Sequence, residues 1–214
     1  MPIPTLKRYM AIFVLFDTYR KPKVRKSILN SVRGFVSNLK TIQKAEISLK
    51  ANSISVSHEN YWLNFDSEKA FSVYIGSEGE KHHDLVNEIF NEVCSKLNDT
   101  KLPKEIKTIF FHAVCEFEFP KISNLISNLF CDEYLQKLVC EEDSIIPTSV
   151  ELSCLKDKKL RTSYSILNKK KQKTVEIKLY DKYQNTFPLN TVKDSLQTLK
   201  KRSDQLHKNI KGGN

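Results

Sequence analysis

The residues best suited to catalysis in this sequence lie on one strand-like stretch, 108–119. Alternation places its apolar residues on one face and His112, Glu116 and Glu118 on the other. Carboxylate oxygens favour hard divalent cations and a histidine can shuttle a proton near neutral pH, so this set could hold a metal ion or perform acid–base chemistry. The pattern favours a simpler interpretation, in which these side chains form a solvated strand face that pairs with lysines across the sheet.

No other motif predicts a catalytic or cofactor site. A GxSxG nucleophile elbow is absent, and the five glycines are too few and too scattered for a phosphate-binding loop. The five cysteines are odd in number and none are two or three positions apart, so neither a disulfide framework nor a zinc site is indicated. We therefore predict no catalytic residue, no cofactor and no metal, and we interpret the cysteines as buried thiols in a reducing cytoplasm.

Positive charge is concentrated in the last quarter of the chain. The net charge of the whole protein is +10. From Lys156 to Asn214 there are 16 basic and 5 acidic residues, whereas residues 1–155 carry 19 and 20. Like charges held close together repel each other and do not help folding, so this segment indicates either a negatively charged partner or simple solubility.

Basic residues cluster on a predicted hairpin, 156–182, and at the turn between the first strand and the first helix. The candidate binding residues are Lys158, Lys159 and Arg161 at the hairpin base, Lys169, Lys170, Lys171 and Lys173 at its tip, and Arg20, Lys21, Lys23, Arg25 and Lys26 at the turn. Cations near a helix N-terminus oppose the helix dipole, so the turn gains no local stability from them. Because lysine is a mobile point charge, we predict contacts with a nucleic-acid backbone, without sequence specificity, or with an acidic protein.

The last helix suggests a different kind of partner. Its apolar side follows the four-and-three spacing of a heptad seam, formed by Val192, Leu196, Leu199, Ser203, Leu206 and Ile210. This seam either docks on the protein's own sheet or extends past it. In the second case Leu199, Leu206 and Ile210 are the candidates for contact with another protein subunit.

The order of elements predicts an α+β fold with an internal duplication. Hydrophobic patterns indicate a strand, a helix, two to four strands and a second helix in residues 1–100, and the same order again in residues 101–214. Residues 11–30 align with residues 109–128 without a gap. In both stretches an apolar strand, predicted over Met10–Tyr19 in the first, ends at Pro-Lys, and a helix is predicted to open at Val24 or Ile122. Two such copies would form an antiparallel sheet with helices on one face, in one pseudo-symmetric domain.

This layout resembles the duplicated saddle of the TATA-binding proteins. The resemblance lies in the order of the elements and bears on the fold alone. The paired intercalating phenylalanines of that family have no counterpart here at a matching position, so no function is carried over. The aromatic residues of the 61–76 hairpin favour core packing over base stacking; they are Tyr61, Trp62, Phe65, Phe71 and Tyr74.

Together these patterns predict a non-catalytic binding or accessory subunit in the cytoplasm, with a basic C-terminal quarter that contacts nucleic acid or an acidic protein. One alternative is a structural subunit of a protein complex, which binds through the last helix and a sheet edge while its lysines serve solubility. Another is a metal-dependent hydrolase or nuclease that uses the strand-face set. No run of about 18 apolar residues occurs, so no membrane partner is predicted.

Overall fold

The computed structural model describes residues 4–42, 44–99, 107–119, 149–156, 159–169, 172–184 and 190–212. Within these ranges nine strands form one antiparallel sheet, in the order β2-β3-β4-β5-β1-β6-β9-β8-β7. The strands are β1 (Thr5–Leu15), β2 (Glu46–Leu49), β3 (Ser53–His58), β4 (Tyr61–Asp66), β5 (Phe71–Glu78), β6 (Thr108–Glu118), β7 (Ser149–Lys156), β8 (Lys159–Lys169) and β9 (Gln172–Gln184).

Three α-helices accompany the sheet in the described ranges, so the α+β class is confirmed. They are α1 (Pro22–Phe35), α2 (His83–Asp99) and α3 (Thr191–Gly212). Short 3-10 turns cover Phe16–Thr18, Val36–Asn38 and Lys40–Ile42. The proline that begins α1 suits this position, because a backbone N–H in the first turn has no partner within the helix. Proline lacks this N–H and therefore loses no hydrogen bond there. None of the described helices is long and apolar enough to cross a membrane.

One face of the sheet, here called the core face, carries the hydrophobic core. Phe13 of β1 lies opposite Val73 of β5 on one side and Phe111 of β6 on the other, and all three side chains are buried. Phe90 of α2 stacks on the ring of Phe13 with a centroid distance of 4.5 Å. Helix α1 contacts β3 and β5, α2 contacts β5 and α3, and α3 contacts β6 and β9.

Tyr9 joins α3 to the core face. Its hydroxyl donates to the backbone oxygen of Val192 at 2.9 Å and lies 2.8 Å from Oγ of Ser195. Burial raises the pKa of this hydroxyl far above its usual range, so it stays protonated. A buried hydroxyl that lost these partners would keep its desolvation cost, and the bonds therefore fix the start of α3 over β1.

The first strand begins and ends earlier than its apolar run indicates. The sequence suggested a strand over residues 10–19, but β1 includes Lys7 and Arg8 and stops at Leu15. Both cations have partners across the sheet: Nζ of Lys7 is 3.3 Å from Glu118, and the Arg8 guanidinium lies 5.1 Å from the ring centroid of Trp62. Charged residues that precede the apolar run can therefore extend the strand.

The sheet is continuous across the boundary between residues 100 and 101 at which the sequence divides into two predicted repeats. Strand β1 pairs with β5 and also, over most of its length, with β6. The hairpin predicted at 156–182 is confirmed as the antiparallel pair of β8 and β9, in which Lys169 lies opposite Gln172. The helix predicted to open at Ile122 lies outside the described residues.

Candidate nucleic-acid interface

Four of the predicted binding residues form an exposed basic surface where β1 leads into α1. This surface, here called the basic turn, consists of Arg20, Lys21, Lys23 and Lys26. Lys21 occupies the position before Pro22 and provides no side-chain cap for the helix, and the first turn of α1 contains no acidic residue. The first turn therefore has cations where the helix dipole would favour anions, which is locally unfavourable.

Arg25, the fifth cation predicted for this turn, is bound within the protein. Its guanidinium donates to four backbone carbonyls, those of Thr18 at 3.0 Å, Tyr19 at 2.8 Å, Ser67 at 2.9 Å and Glu68 at 3.1 Å. A planar guanidinium with five donors can serve several acceptors at once, as a lysine ammonium cannot. Arg25 thus links the turn after β1 to the turn between β4 and β5.

Replacing Arg25 with lysine is expected to lower the free energy of unfolding by about 1–3 kcal/mol. The positive charge is kept, but an ammonium cannot reach all four carbonyls, so some of them lose a charged donor. Urea unfolding followed by circular dichroism measures the loss. Lys23→Arg is the matched control, because its exposed side chain should leave stability within about 0.5 kcal/mol. Equal stability of the two variants would contradict this role for Arg25.

The base of the predicted hairpin lies at the same end of the sheet as the basic turn. Across the sheet, Leu15 at the end of β1 lies opposite Ile109, which in turn lies opposite Tyr183 near the end of β9. Strand β8 runs antiparallel to β9, so β8 starts at this end, where Lys156 of β7 pairs with Lys159. Arg161 follows two residues later along β8.

The basic tip lies at the opposite end of the sheet. Strand β8 has 11 residues, which separates its two turns by about 33 Å at the usual rise per residue. Lys169 and Lys173 occupy the strand ends beside the β8–β9 turn. Lys158, Lys170 and Lys171 lie outside the described residues. The basic turn and the start of β8 therefore lie at one end of the sheet, and Lys169 and Lys173 lie at the other.

An exposed aromatic cluster, which the sequence analysis missed, lies beside the basic turn. We give this name to Phe16, Tyr19 and Phe110, whose exposed fractions are 54%, 56% and 38%. Tyr19 belongs to it through the backbone, because its N–H donates to the Phe16 carbonyl at 2.9 Å. The rings of Phe16 and Phe110 meet edge to face at 5.2 Å, and Nζ of Lys182 lies 5.6 Å from the centroid of Phe110. Phe16 was assigned to the strand because it continues an apolar run. The sequence signal that could have identified Phe16 as exposed is its position just before Asp17 and the basic turn.

The set proposed for catalysis lies on the second face of the sheet, here called the mixed face because it carries apolar and charged residues. His112 stacks on Tyr180 with a centroid distance of 4.4 Å, and burial together with the Lys178 cation lowers the pKa of His112. Glu118 pairs with Lys7. In the described part of the chain no three histidine, cysteine or acidic residues are placed to hold a metal ion. Of the lysine pairing predicted for this strand face, the structure shows one pair among the described residues, Glu118 with Lys7.

The aromatic residues of the β4–β5 hairpin divide between the two faces. Tyr61, Phe65 and Phe71 are buried in the core, as core packing requires. Trp62 and Tyr74 are half-buried on the mixed face. Two of the cysteines, Cys94 and Cys115, are buried, and burial raises the pKa of both thiols, so they are inert at neutral pH.

The apolar seam of α3 docks on the protein itself. Val192, Leu196 and Leu199 are buried in the core, and the half-buried Leu206 packs against it. Leu199 is therefore not accessible to a partner, although it was a candidate contact. The side chain of Ile210 lies outside the described part, so its role in partner binding stays a prediction.

Comparison with known proteins adds no relative. No family model matches the chain, and neither a curated protein nor a solved structure matches it. The resemblance to the TATA-binding proteins thus remains one of element order. Any function assigned to this chain rests on its own geometry.

Proposed function

We propose that this protein is a non-catalytic subunit that binds the nucleic-acid backbone through its basic turn. The observation that carries the proposal is the exposure of Arg20, Lys21, Lys23 and Lys26 on one short segment. In the described ranges no acidic side chain forms an ion pair with any of the four. Phosphates would supply the missing counter-charge, and the four cations would displace counterions from the nucleic acid.

The position of the hairpin base supports the same proposal. Lys159 and Arg161, at the start of β8, lie at the same end of the sheet, so a nucleic-acid backbone that crosses this end would pass both groups of basic residues. Lys169 and Lys173 are at the other end of the sheet and are not required for this contact. Lysine and arginine side chains that reach phosphates give affinity without base recognition, so the proposed binding is not sequence-specific.

We also propose that the chain is internally duplicated, with its helices on one face of the sheet. The strand order supports it, because β1 and β6, the first strands of the two proposed copies, are neighbours in the middle of the sheet. Each also lies beside the last strand of its own copy, β5 or β9, and a helix follows each of these last strands. The joint between the copies would therefore be the β1–β6 pair.

Reversing the charge of the basic turn tests the function. The quadruple variant Arg20→Glu, Lys21→Glu, Lys23→Glu and Lys26→Glu is expected to lose at least about 100-fold in affinity for DNA near 0.1 M salt. The slope of log affinity against log salt should become shallower by about 0.9 for each phosphate contact removed. Fluorescence anisotropy with labelled DNA at several salt concentrations measures both quantities.

The control for this variant reverses exposed lysines elsewhere, Lys193→Glu, Lys201→Glu and Lys208→Glu on α3. Its affinity is expected to fall only modestly, because the change in net charge acts over a distance that salt screens. An equal loss in both variants would show that net charge alone governs binding. Failure of the wild-type protein to bind any nucleic acid at low salt would favour the acidic protein partner.

A further inference from the structure

The three aromatic side chains of the cluster are exposed without being needed by the core. Only four large hydrophobic side chains in the described part of the chain are exposed, and three of them are Phe16, Tyr19 and Phe110. The fourth, Leu49, lies on the edge strand β2. Single exposed apolar residues are ordinary on protein surfaces, but two exposed rings in contact, with a third exposed ring in the same short turn, form a candidate binding surface.

The segment that presents these rings is fixed by hydrogen bonds. The carboxylate of Asp17 accepts from the backbone N–H groups of Lys107 at 2.6 Å and Thr108 at 2.5 Å, which holds the turn against β6. Oγ1 of Thr18 accepts from the backbone N–H of Phe71 at 2.9 Å. Arg25 binds the carbonyls of Thr18 and Tyr19. A ligand that contacts the rings therefore orders little of the backbone when it binds.

Cations lie next to two of the rings, and the acidic residues Asp17, Glu68 and Asp181 lie at the same end of the sheet. The basic turn begins at Arg20, directly after Tyr19, and Lys182 lies against Phe110. Among these acidic residues, Asp17 has its carboxylate committed to two backbone N–H groups. Aromatic side chains next to cations that follow a backbone are the combination by which proteins bind unpaired bases and their phosphates.

We infer that the aromatic cluster is a stacking platform for unpaired bases, and that the ligand of the basic turn is single-stranded nucleic acid. This inference rests on the proposed function and names its substrate class. In a duplex the base faces are already stacked on each other. The phosphates of a duplex would therefore contact the cations, but its bases would not stack on the aromatic rings. Unpaired bases offer free faces to Phe16 and Tyr19 while their phosphates reach Arg20 and Lys21.

The test compares a labelled oligo-dT of about 16 nucleotides with a duplex of the same length. This length is near the upper limit of the site that one OB-fold domain covers on single-stranded nucleic acid. The wild-type protein is expected to bind oligo-dT more tightly than the duplex. The double variant Phe16→Ala, Tyr19→Ala should lose about tenfold or more in affinity for oligo-dT. Its affinity for the duplex and its salt slope should change little, because all the cations remain.

Two further variants separate stacking from other effects. Phe16→Tyr with Tyr19→Phe keeps both rings and should keep the wild-type affinity, whereas Leu49→Ala removes an equally exposed side chain elsewhere and should change nothing. Thermal melts establish that each variant is folded. As a second measurement, an oligonucleotide carrying 5-iodouracil is irradiated in the complex, and crosslinks to Phe16, Tyr19 or Phe110 are expected by mass spectrometry.

The outcomes distinguish this inference from the proposed function. Equal binding of oligo-dT and duplex, with no loss in the double alanine variant, would overturn the stacking platform but keep the basic turn as a backbone site. An equal loss for both ligands in the double alanine variant would also overturn the platform. Absence of binding to either ligand by the wild-type protein would remove both proposals.

Discussion

Replacing Phe13 with alanine is expected to lower the free energy of unfolding by about 3–5 kcal/mol. Phe13 is fully buried, and its ring lies between Phe90 of α2 at 4.5 Å and Phe111 of β6 at 4.8 Å. Its removal leaves a cavity where β1, β6 and α2 meet, so contacts are lost on both sides. Urea unfolding followed by far-ultraviolet circular dichroism measures the change.

The matched control for this prediction is Phe16→Ala, the same substitution three residues further on. Phe16 is 54% exposed, so its loss should cost less than about 1 kcal/mol. A Phe13 variant no less stable than the Phe16 variant would contradict the central position of the Phe13 ring. The same comparison establishes that alanine at position 16 leaves the fold intact, which the stacking test requires.

Replacing Gly76 with alanine is expected to destabilise the protein by about 2–4 kcal/mol. A Cβ at this position would lie 2.2 Å from Cζ2 of Trp62 and 2.6 Å from the backbone oxygen of Tyr9. The indole can move aside, but the Tyr9 carbonyl belongs to the central strand β1 and cannot. The glycine therefore lets the indole lie close over the backbone of β5.

Trp62 is the only tryptophan in the chain, so its fluorescence reports directly on the site of substitution in this test. The emission of the Gly76→Ala variant should shift as the indole leaves its place, while the melting temperature falls. Gly34→Ala is the control, since a Cβ there meets nothing within 4 Å. Alanine in helix α1 should instead stabilise the protein by about 0.5–1 kcal/mol. Unchanged stability and emission in the Gly76 variant would refute the close packing of Trp62.

Local patterns predicted most of the elements because their causes are local. The alternation in β3, β4 and β5 and the helical spacing of α2 and α3 depend on residues within a few positions of one another. The end of β1 was misplaced for a physical reason. Phe16 is apolar, but hydrogen bonds from Lys107, Thr108 and Phe71 to the residues after it bend the chain into a 3-10 turn. Those donors are distant in sequence.

The candidate site was predicted only in part. Charge clustering located the basic turn and the hairpin, because charge can be counted along the chain. Arg25 was grouped with the other cations, although two of its four acceptors are carbonyls 42 and 43 residues away. The aromatic cluster was missed because Phe110 comes next to Phe16 only when β6 pairs with β1.

The amino-acid sequence alone was enough to predict the α+β class, the order of the elements in the described ranges and the location of excess charge along the chain. These follow from side-chain periodicity and composition, which need no knowledge of distant contacts. Only the folded protein shows which end of the sheet the basic turn and the start of β8 occupy, that Leu199 is buried, and that Arg25 binds carbonyls of the protein. Strand register and long-range hydrogen bonds set these features, and both depend on residues brought together only when the sheet forms.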